Sequence, residues 1–394
     1  MRNAFRLLFA LLLTTSAFAQ SSEGKYVGDV DVQGSNTISV SVTAYSPEML
    51  NLAQLAFNTH GRLKLVASGG SYGVNFLSAG ANGVKVIISR GGSAVLTQEV
   101  SGTSPRNALL KAADVAVNRI TGLKGYFAGK LAFVGERTGK SEIYTSDLFL
   151  GDLSKWTSDG KQVLSPRWSP DGQRVVYTSY RTSFPDIYAV DLAARRVALL
   201  ASFKGTNSGG HYSPDGSRLA MVLSGEGNPE VYVGNPQGRQ LKRLTNNQAV
   251  EASPTFSPDG SRVLFVSDSA GGPQLFTVPV TGGTPSRVPT KISGYCAEPD
   301  WSQADPSKIV FTAKIGSGYQ IAVYDQKAGA SKQVSHAPTD AIEAVWLADG
   351  RHVVCTFRAA NTRALYILDT ESGKATRLSP TAFGNASSAG YLAP

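Results

Sequence analysis

The side chain that comes nearest to a catalytic nucleophile in this sequence is Ser71. It lies in Gly69-Gly-Ser71-Tyr-Gly73, which matches the G-x-S-x-G pattern of a nucleophile elbow and follows a predicted strand at 63–67. Such an elbow needs an Asp and a His in the same domain, and no histidine occurs between His60 and His211. A turn rich in Gly and Ser explains the same residues, so a serine hydrolase is kept only as a minor alternative.

Aspartates and histidines are the next candidates, because they are common metal ligands. Four aspartates recur at one position of a repeated turn, one to each repeat, so they cannot converge on one ion and we interpret them as turn formers. The histidines within the repeats are scattered over different positions, which does not indicate a metal centre. We expect no metal and no cofactor. The aspartates are Asp171, Asp215, Asp259 and Asp349, and the histidines are His60, His211, His336 and His352.

Two cysteines are too few for a disulfide-framed scaffold or a cysteine-rich zinc module. Cys355 takes a repeat position that otherwise holds Phe or Tyr, which predicts a small buried residue, and its pairing with Cys296 is left open. The sequence has no phosphate-binding Gly loop and no interleaving of basic and aromatic residues. A nucleotide- or nucleic-acid-binding protein is therefore not expected.

The composition sets the scale of the molecule. The chain has 394 residues, of which 42% are hydrophobic and 17% are charged, which is enough for two globular domains and too mixed for a disordered protein. Its 41 glycines indicate many tight turns. The formal charge is +9, or about +7 without the two arginines of the leader described next, which keeps a glycan or another anionic envelope polymer as an alternative partner.

The first 19 residues have the pattern of a secretory signal peptide. Met1–Arg6 is short and basic, and Leu7–Ala19 is apolar and ends in small residues. Cleavage is expected near Ala19/Gln20. No later segment approaches 18 uninterrupted apolar residues, so we expect an exported, periplasmic protein without a membrane anchor.

An internal repeat predicts the architecture. An aromatic residue followed by Ser-Pro-Asp-Gly occurs three times at a spacing of 44, and the aromatic position then continues three times at a spacing of 45. An apolar triplet, an alternating strand and a basic outer strand accompany each occurrence, so every unit offers four short strands and no helical period. The six aromatic residues are Trp168, Tyr212, Phe256, Trp301, Trp346 and Tyr391.

Four strands in about 45 residues are typical of a β-propeller blade. The apolar triplet occurs six times and begins at Leu131, whereas the aromatic position begins one unit later and ends at Tyr391. The first blade therefore lacks an inner strand, and we expect Ser388–Leu392 to supply it. The sequence predicts a mainly β protein whose residues 126–394 form a six-bladed propeller closed by the C-terminus.

Residues 20–125 show none of this periodicity and predict a small α+β domain. Two helices are expected to begin at Ser-Pro pairs, where Ser caps the helix and Pro takes its first turn. The second helix has apolar residues at helical spacing. The predicted strands are Ile38–Thr43, Val84–Ser89 and Ala94–Val100, and the predicted helices begin at Ser46 and Ser104 and end at Gly61 and Gly122.

Polar and acidic residues precede each turn aromatic, at positions where a core would be apolar. These segments are expected to line the central channel of the propeller. They either line a water-filled channel or form a mouth that receives a loop of another protein. The segments are Asn207–His211, Glu251–Thr255, Glu298–Asp300 and Ile342–Ala344.

The junction between the two regions is the most specific signal. A helix runs into Thr121-Gly-Leu-Lys-Gly-Tyr-Phe127, and Lys130-Leu-Ala-Phe-Val134 and the repeated turns follow. This arrangement resembles the TolB family, the periplasmic components of the Tol-Pal envelope system. The resemblance covers the chain from Arg106 to the C-terminus, where Ala389–Leu392 is similar to the closing strand of the family.

The resemblance implies a non-enzymatic, monomeric scaffold that supports outer-membrane integrity and cell division and meets the envelope only through its partners. It implies binding of the peptidoglycan-associated lipoprotein Pal, of the OmpA family, at the channel mouth, and of TolA through the N-terminal segment. Occupancy of the channel would bias whether that segment is free. The implied channel residues are Thr206, Asn207, His211, Glu251, Ser253, Thr255, Glu298, Asp300 and Glu343, and those of the N-terminal segment are Tyr26, Val27, Asp29 and Val30.

Overall fold

The structure is a computed structural model that describes residues 37–394. The predicted signal peptide and the predicted TolA-binding residues Tyr26–Val30 lie outside these described residues. Within residues 37–394, neither α-helix is long and apolar enough to cross a membrane.

The N-terminal unit, residues 37–121, is a five-stranded sheet packed against two helices. The sheet has the order β2-β1-β3-β4-β5, in which β1 pairs in parallel with β2 and β3, and β3, β4 and β5 are antiparallel. The elements are β1 (Ile38–Ala44), α1 (Pro47–Thr59), β2 (Leu63–Leu65), β3 (Tyr72–Ser78), β4 (Gly83–Arg90), β5 (Ser93–Ser101) and α2 (Pro105–Thr121).

Both helices begin where the Ser-Pro pairs predict. The Ser46 and Ser104 hydroxyls accept hydrogen bonds from the amides three residues later, and Gly122 ends α2 with a φ of 75°. Two predicted bounds need correction. Helix α1 ends at Thr59 rather than Gly61, because His60 is already extended, and the strand predicted at 63–67 stops at Leu65.

The remaining chain forms six four-stranded antiparallel sheets, the blades of a propeller. From the inner to the outer strand, blade 1 contains β29 (Ala386–Leu392), β6 (Lys130–Gly135), β7 (Glu142–Asp147) and β8 (Ser154–Lys155). Blade 2 contains β9 (Val163–Trp168), β10 (Arg174–Ser179), β11 (Asp186–Asp191) and β12 (Arg196–Ala201). Blade 3 contains β13 (Asn207–Tyr212), β14 (Leu219–Leu223), β15 (Glu230–Gly234) and β16 (Lys242–Arg243). Blade 4 contains β17 (Glu251–Phe256), β18 (Arg262–Ser267), β19 (Gln274–Pro279) and β20 (Ser286–Arg287). Blade 5 contains β21 (Cys296–Trp301), β22 (Lys308–Ile315), β23 (Gly318–Asp325) and β24 (Ala330–Gln333). Blade 6 contains β25 (Asp340–Trp346), β26 (His352–Arg358), β27 (Arg363–Asp369) and β28 (Ala375–Arg377).

The C-terminal strand closes the ring. Strand β29 pairs antiparallel with β6, with Tyr391 opposite Leu131 and Ala386 opposite Gly135. The six-bladed fold, the preceding α+β unit and the closure of the first blade by the C-terminus are therefore confirmed. Pairing with β29 covers the inner edge of β6, which would otherwise expose unpaired backbone groups.

The core is divided among the faces between neighbouring blades. Trp168, for example, packs with Val134 of blade 1 and Tyr177 of blade 2, and Trp346 packs with Val310 of blade 5 and Val353 of blade 6. The largest cluster is different, because it joins helices α1 and α2 of the N-terminal unit to residues of blades 1 and 6. The two parts of the molecule thus share one core.

Candidate partner-binding channel

Each blade carries a β-bulge on its innermost strand. The pairing register between the innermost strand and its neighbour shifts once in every blade. The residue at the bulge has a left-handed backbone, with φ between 50° and 71°, although five of the six are not glycine. Such backbone outliers are common at binding sites. The bulge residues are Ser165, Gly209, Ser253, Glu298, Glu343 and Ser388.

All six bulge residues line one cavity of about 190 Å³ in the centre of the propeller. The cavity has two chemically different sides. Blades 3 and 4 contribute valines and prolines, including Val222, Val266 and Pro254, and blades 5 and 6 contribute Glu298 and Glu343. A partner loop that enters this cavity would meet an apolar wall and an acidic wall.

The acidic side is held together by hydrogen bonds from blade to blade. The Glu298 carboxylate accepts from the backbone amide of Glu343 at 3.0 Å and from the Thr312 hydroxyl at 2.8 Å. In the next blade, the Glu343 carboxylate accepts from the Ser388 amide at 3.1 Å and from the Thr356 hydroxyl at 3.0 Å. These carboxylates therefore line the cavity and also fix the left-handed bulges that follow them.

One cation, Arg167, stands among these acids. Its guanidinium donates to the carbonyl of Pro166 at 3.0 Å and to that of Ala389 at 3.4 Å, and its charged neighbours are Asp300, Glu343 and Glu298. Burial lowers the pKa of Arg167. Nevertheless, an arginine keeps its charge, so it partly balances the acidic side.

Burial also changes the acids. It raises the pKa of Glu298 to about 7, with a further increase from the charge of Glu343, and it raises the pKa of Asp300 to about 6. The Asp300 carboxylate accepts from the Trp346 amide at 2.8 Å. The charge of the channel therefore depends on pH near neutrality.

His211 stays neutral in the channel. Burial, with a smaller contribution from Arg167, lowers its pKa to about 3. Its Nδ1–H donates to the Tyr212 carbonyl at 3.0 Å, which leaves Nε2 to accept from the Thr255 hydroxyl at 3.3 Å.

Glu251 lines the cavity but is almost completely buried, with 1% of its surface exposed. One carboxylate oxygen accepts from Asn247 and Ser267, each at 3.0 Å, and the other has no partner in the described part of the chain. Burial raises its pKa to about 8, and the nearby Glu230, which also has an unpartnered buried oxygen, contributes to the increase. Glu251 therefore keeps its proton at neutral pH.

The structure brings most of the predicted channel residues together. Two positions are set apart from the others. Asn207 is fully buried and its amide holds the loop at Phe203, and Asp300 supports the next blade without lining the cavity. The residues that line the cavity are Thr206, His211, Glu251, Ser253, Thr255, Glu298 and Glu343.

Arg167, Ser165 and Ser388 also line the cavity, and sequence reasoning did not select them. A signal for the two serines is present in the sequence, since the bulge positions follow one another at spacings of 44 or 45 residues. The repeat columns therefore could have identified Ser165 and Ser388. Nothing in the repeat singles out Arg167.

A second polar cluster, outside the channel, was missed because its members are far apart in sequence. His60, Asp349 and His352 offer ligand atoms within 4.8 Å of one another at the contact between the N-terminal unit and blade 6. Their nitrogens are largely occupied, however. His60 Nδ1 accepts from the Arg62 amide, and both nitrogens of His352 have partners. With one free nitrogen, the cluster is a hydrogen-bond network and does not fit a metal ion.

The other chemical candidates have structural roles. Ser71 leads into β3 rather than into a helix, and its hydroxyl lies 2.9 Å from that of Ser39. Cys296 and Cys355 are both buried free thiols, so they do not form a disulfide. Burial raises the pKa of both thiols, which disfavours the reactive thiolate.

Comparison with known proteins places this geometry in a family. A family model described as the TolB beta propeller domain matches residues 117–378. Among curated proteins, the Tol-Pal system protein TolB of Roseobacter denitrificans is 42% identical over 103 residues, which is 25% of this chain and 23% of that protein. The Tol-Pal system protein TolB of Dechloromonas aromatica is 34% identical over 121 residues, or 31% of this chain and 28% of that protein.

These matches span about a quarter of the length of the curated relatives. A solved structure extends the likeness of the fold to nearly the whole chain. The crystal structure of TolB from Acinetobacter baumannii superposes with a TM-score of 0.83 and 23% identity, and the match covers 92% of this chain and 98% of that one. The extent of the family match identifies this chain as a member of the TolB beta-propeller family.

Proposed function

We propose that this chain is a non-enzymatic, protein-binding component of the Tol-Pal system in the periplasm. Its channel binds a loop of a peptidoglycan-associated lipoprotein such as Pal, and its N-terminal segment, around Tyr26–Val30, binds TolA. In this role the protein supports outer-membrane integrity and cell division. Export depends on the signal peptide at residues 1–19, with cleavage near Ala19/Gln20.

The ring of six left-handed bulges is the observation that supports this proposal most directly. A positive φ at a non-glycine residue raises the free energy of the folded state by about 1 kcal/mol. Such residues persist where the surrounding structure enforces the conformation, and they cluster at functional sites. Here all six open into one cavity that has an apolar side and an acidic side. A protein loop offers both apolar and polar groups to such a cavity.

The inner strands also offer a route from the channel to the N-terminal unit. Strand β25 carries Glu343 into the cavity, and Asp349, just beyond its other end, contacts His352 at the interface with the N-terminal unit. Strand β29 carries Ser388 into the cavity, and its Tyr391 hydroxyl donates to the carbonyl of Tyr126 at 3.0 Å. We propose that loop binding biases the N-terminal partner site through these two strands.

Titration of the mature protein with the soluble domain of the lipoprotein from the same organism tests the proposal. Ser165 is exposed and lines the cavity, so Ser165→Arg fills the channel without removing a buried contact. We expect a loss of affinity of about tenfold or more, which is roughly 1.4 kcal/mol. Gln237→Arg, at an exposed turn between β15 and β16, adds the same charge away from the channel and should bind like the wild type. Equal loss in both variants, or in neither, would place the binding site elsewhere.

Deletion of residues 21–34 tests the second partner. This variant should lose capture of TolA and keep the lipoprotein, since all the residues proposed to bind the lipoprotein belong to the propeller. Capture of TolA by the shortened chain would contradict the N-terminal assignment.

A further inference from the structure

A single hydrogen bond joins the backbone of the N-terminal unit to a histidine of blade 6. The amide of Gly61, in the loop between α1 and β2, donates to Nε2 of His352, the first residue of β26, at 3.2 Å. The side chain of His352 is fully buried. This contact spans 291 positions of sequence and connects the two parts of the molecule.

The partners of His352 determine where its proton lies. Nδ1 is 2.6 Å from a carboxylate oxygen of Asp349, and a carboxylate can only accept. Nδ1 therefore carries hydrogen. Because Nε2 accepts from Gly61, it carries none, and His352 is neutral in this arrangement.

A second acceptor lies near Nε2 of His352. A carboxylate oxygen of Asp369 lies 3.8 Å from it. If Nε2 gained a proton, its N–H would face the N–H of Gly61, and two donors cannot form a hydrogen bond. The new N–H would instead be attracted to Asp369, on the blade side of the interface.

We propose that His352 is a proton-operated latch between the N-terminal unit and the propeller. Neutral His352 holds the loop at residues 60–62 through Gly61, and protonated His352 exchanges that partner for Asp369 and releases the loop. Acidification therefore loosens this edge of the interface without unfolding the propeller.

Gly61 is matched to this role by its lack of a side chain. A Cβ placed on Gly61 would lie 1.6 Å from the Asp369 carboxylate and 2.9 Å from the Ser372 hydroxyl. Any other residue would push the loop away from both His352 and Asp369. The backbone amide reaches the imidazole only because the position is glycine.

The groups on the N-terminal side reinforce the preference for a neutral His352. The ring of His60 is 4.6 Å from that of His352, and His60 Nε2 has no partner among the described residues. Burial lowers the pKa of His60, and the charge of His352, when it is protonated, lowers it further. A charged His352 would thus face a neutral ring with no acceptor to offer it. Arg62, in the same loop, pairs with the half-exposed Glu371 at 3.8 Å.

On the blade side, charges are balanced by Arg351, which donates to both oxygens of Asp369, at 2.9 Å and 2.6 Å, and also pairs with Glu371. When His352 is protonated, its charge lowers the pKa of Asp349 and, together with Arg351, lowers the pKa of Asp369, against the effect of burial. Both aspartates therefore stay ionised in mildly acidic solution.

Three further titratable groups face the cluster from helix α2, the linker and β29. Burial raises the pKa of Tyr126 and of Tyr391, so both stay neutral. Burial also raises the pKa of Asp114 to about 7, although the amides of Phe127 and Ala128 donate to its carboxylate. Asp114 therefore changes charge near neutral pH, and the test must separate it from His352.

Hydrogen exchange of the Gly61 amide tests the latch in the full mature chain. Protection is measured from about pH 7.5 to about pH 5 and corrected for the intrinsic rate. Below the pH at which one proton binds, we expect the protection of the Gly61 amide to fall by up to about tenfold per pH unit. The reason is that the released state binds that proton and the latched state does not. Amides of β14, in the centre of blade 3, should keep their protection.

Substitutions identify the group that causes the pH dependence of Gly61 protection. His352→Gln keeps an acceptor near Gly61 and cannot titrate, so its Gly61 protection should not change with pH. Asp114→Asn and His336→Gln should behave like the wild type, since His336 is exposed and lies outside the interface. Gly61→Ala should leave its loop unprotected at every pH. Unchanged protection in the wild type, or a pH dependence that survives in His352→Gln, would overturn the proposal.

A second measurement does not depend on a variant that must fold. Nitrogen NMR of the wild type reports on which ring nitrogen of His352 carries hydrogen. The proposal requires a bare Nε2 at about pH 7.5 and a proton on Nε2 in the same range in which Gly61 loses protection. Protonation of Nε2 with Gly61 still protected would refute the exchange of partners.

Discussion

At the scale of single residues, the carboxylates of the channel have two roles that oppose each other energetically. Glu298 and Glu343 hold left-handed bulges by accepting from the next blade, which requires acceptors. They also lie near each other in a site where burial disfavours charge. Hydrogen bonding favours the ionised form and burial disfavours it, and for Glu298 burial is the larger effect, since its pKa is raised.

This balance predicts a pH-dependent stability. A carboxyl group whose pKa is higher in the folded state binds its proton more tightly there, so the free energy of unfolding decreases as pH rises from the unfolded value, about 4.3, to about 7. Glu298→Gln keeps an acceptor and removes the titration. We expect the variant to be more stable than the wild type by about 1–3 kcal/mol at pH 7.5 and similar to it at pH 4.5, as measured by urea unfolding.

Asp259 supplies the matched control. Hydrogen bonds from Ser257 and Ser261 lower the pKa of this turn carboxylate to about 2, so it stays ionised over the same interval. The difference between Asp259→Asn and the wild type should therefore be constant with pH. Parallel profiles for Glu298→Gln and the wild type would mean that Glu298 is ionised in the same way folded and unfolded.

At the scale of elements, the repeated turn is a closed hydrogen-bond unit. In blade 4 the Ser257 hydroxyl donates to the Asp259 carboxylate at 2.6 Å and accepts from the Arg262 amide at 2.9 Å. Gly260 then adopts a φ of 69°, which glycine reaches without a steric penalty. Because all of these contacts are local, each turn can form between its two strands independently of the other blades.

The closing strand is the opposite kind of element, since all its pairing is with the other end of the chain. Strand β29 supplies buried Ala386 and Ala389 and places Tyr391 in the core shared with the N-terminal unit. Without it, β6 would become an exposed edge and the ring would be open.

Truncation after residue 385 should therefore destabilise the protein strongly. We expect a loss on the order of 5 kcal/mol in the free energy of unfolding, a large share of the stability of a typical domain, and a broadened thermal transition. Removal of Ala393 and Pro394 alone, which are exposed, should have no effect. A synthetic peptide of residues 385–394 added to the truncated chain should restore the transition. A truncated protein with wild-type stability would show that closure is not needed.

At the scale of the whole molecule, the N-terminal unit and the propeller behave as one structure. Tyr126 and Phe127 of the linker are fully buried in a cluster that includes Ile120 of α2, Leu347 after β25 and Leu378 after β28. An ion pair between Arg106 and Asp147 adds a polar contact between the same two parts. We therefore expect both parts to unfold in a single transition.

Phe127→Ala should make the N-terminal unit and the propeller unfold in separate transitions. Loss of a buried phenylalanine costs about 3–5 kcal/mol, and here the cavity lies in the core that the two parts share. We expect scanning calorimetry to show two transitions in place of one. Phe265→Ala, inside the core between blades 3 and 4, should cost a similar amount and keep a single transition. Two transitions in the wild type would mean that the shared core does not couple the parts.

The repeat spacing was sufficient to predict the number of blades, their order and the closure by the C-terminus. These features depend on local rules: a turn sequence between strands, alternation along a strand and a count of units. The helix starts at Ser46 and Ser104 were predictable for the same reason, because capping involves residues within one turn. The identity of the polar segments along the channel also followed from their place before each aromatic residue.

Contacts between distant residues could not be predicted in this way. Sequence reasoning separated His60 from His352, read Asp349 as one more turn residue, and did not place Glu251 beside Glu230. Packing brings the two rings to 4.6 Å, turns Asp349 toward His352, and buries Glu251 against Glu230. Local patterns specify turns and strands because their energies are local, whereas the electrostatics of a site depend on which distant groups the closed fold brings together and excludes from water.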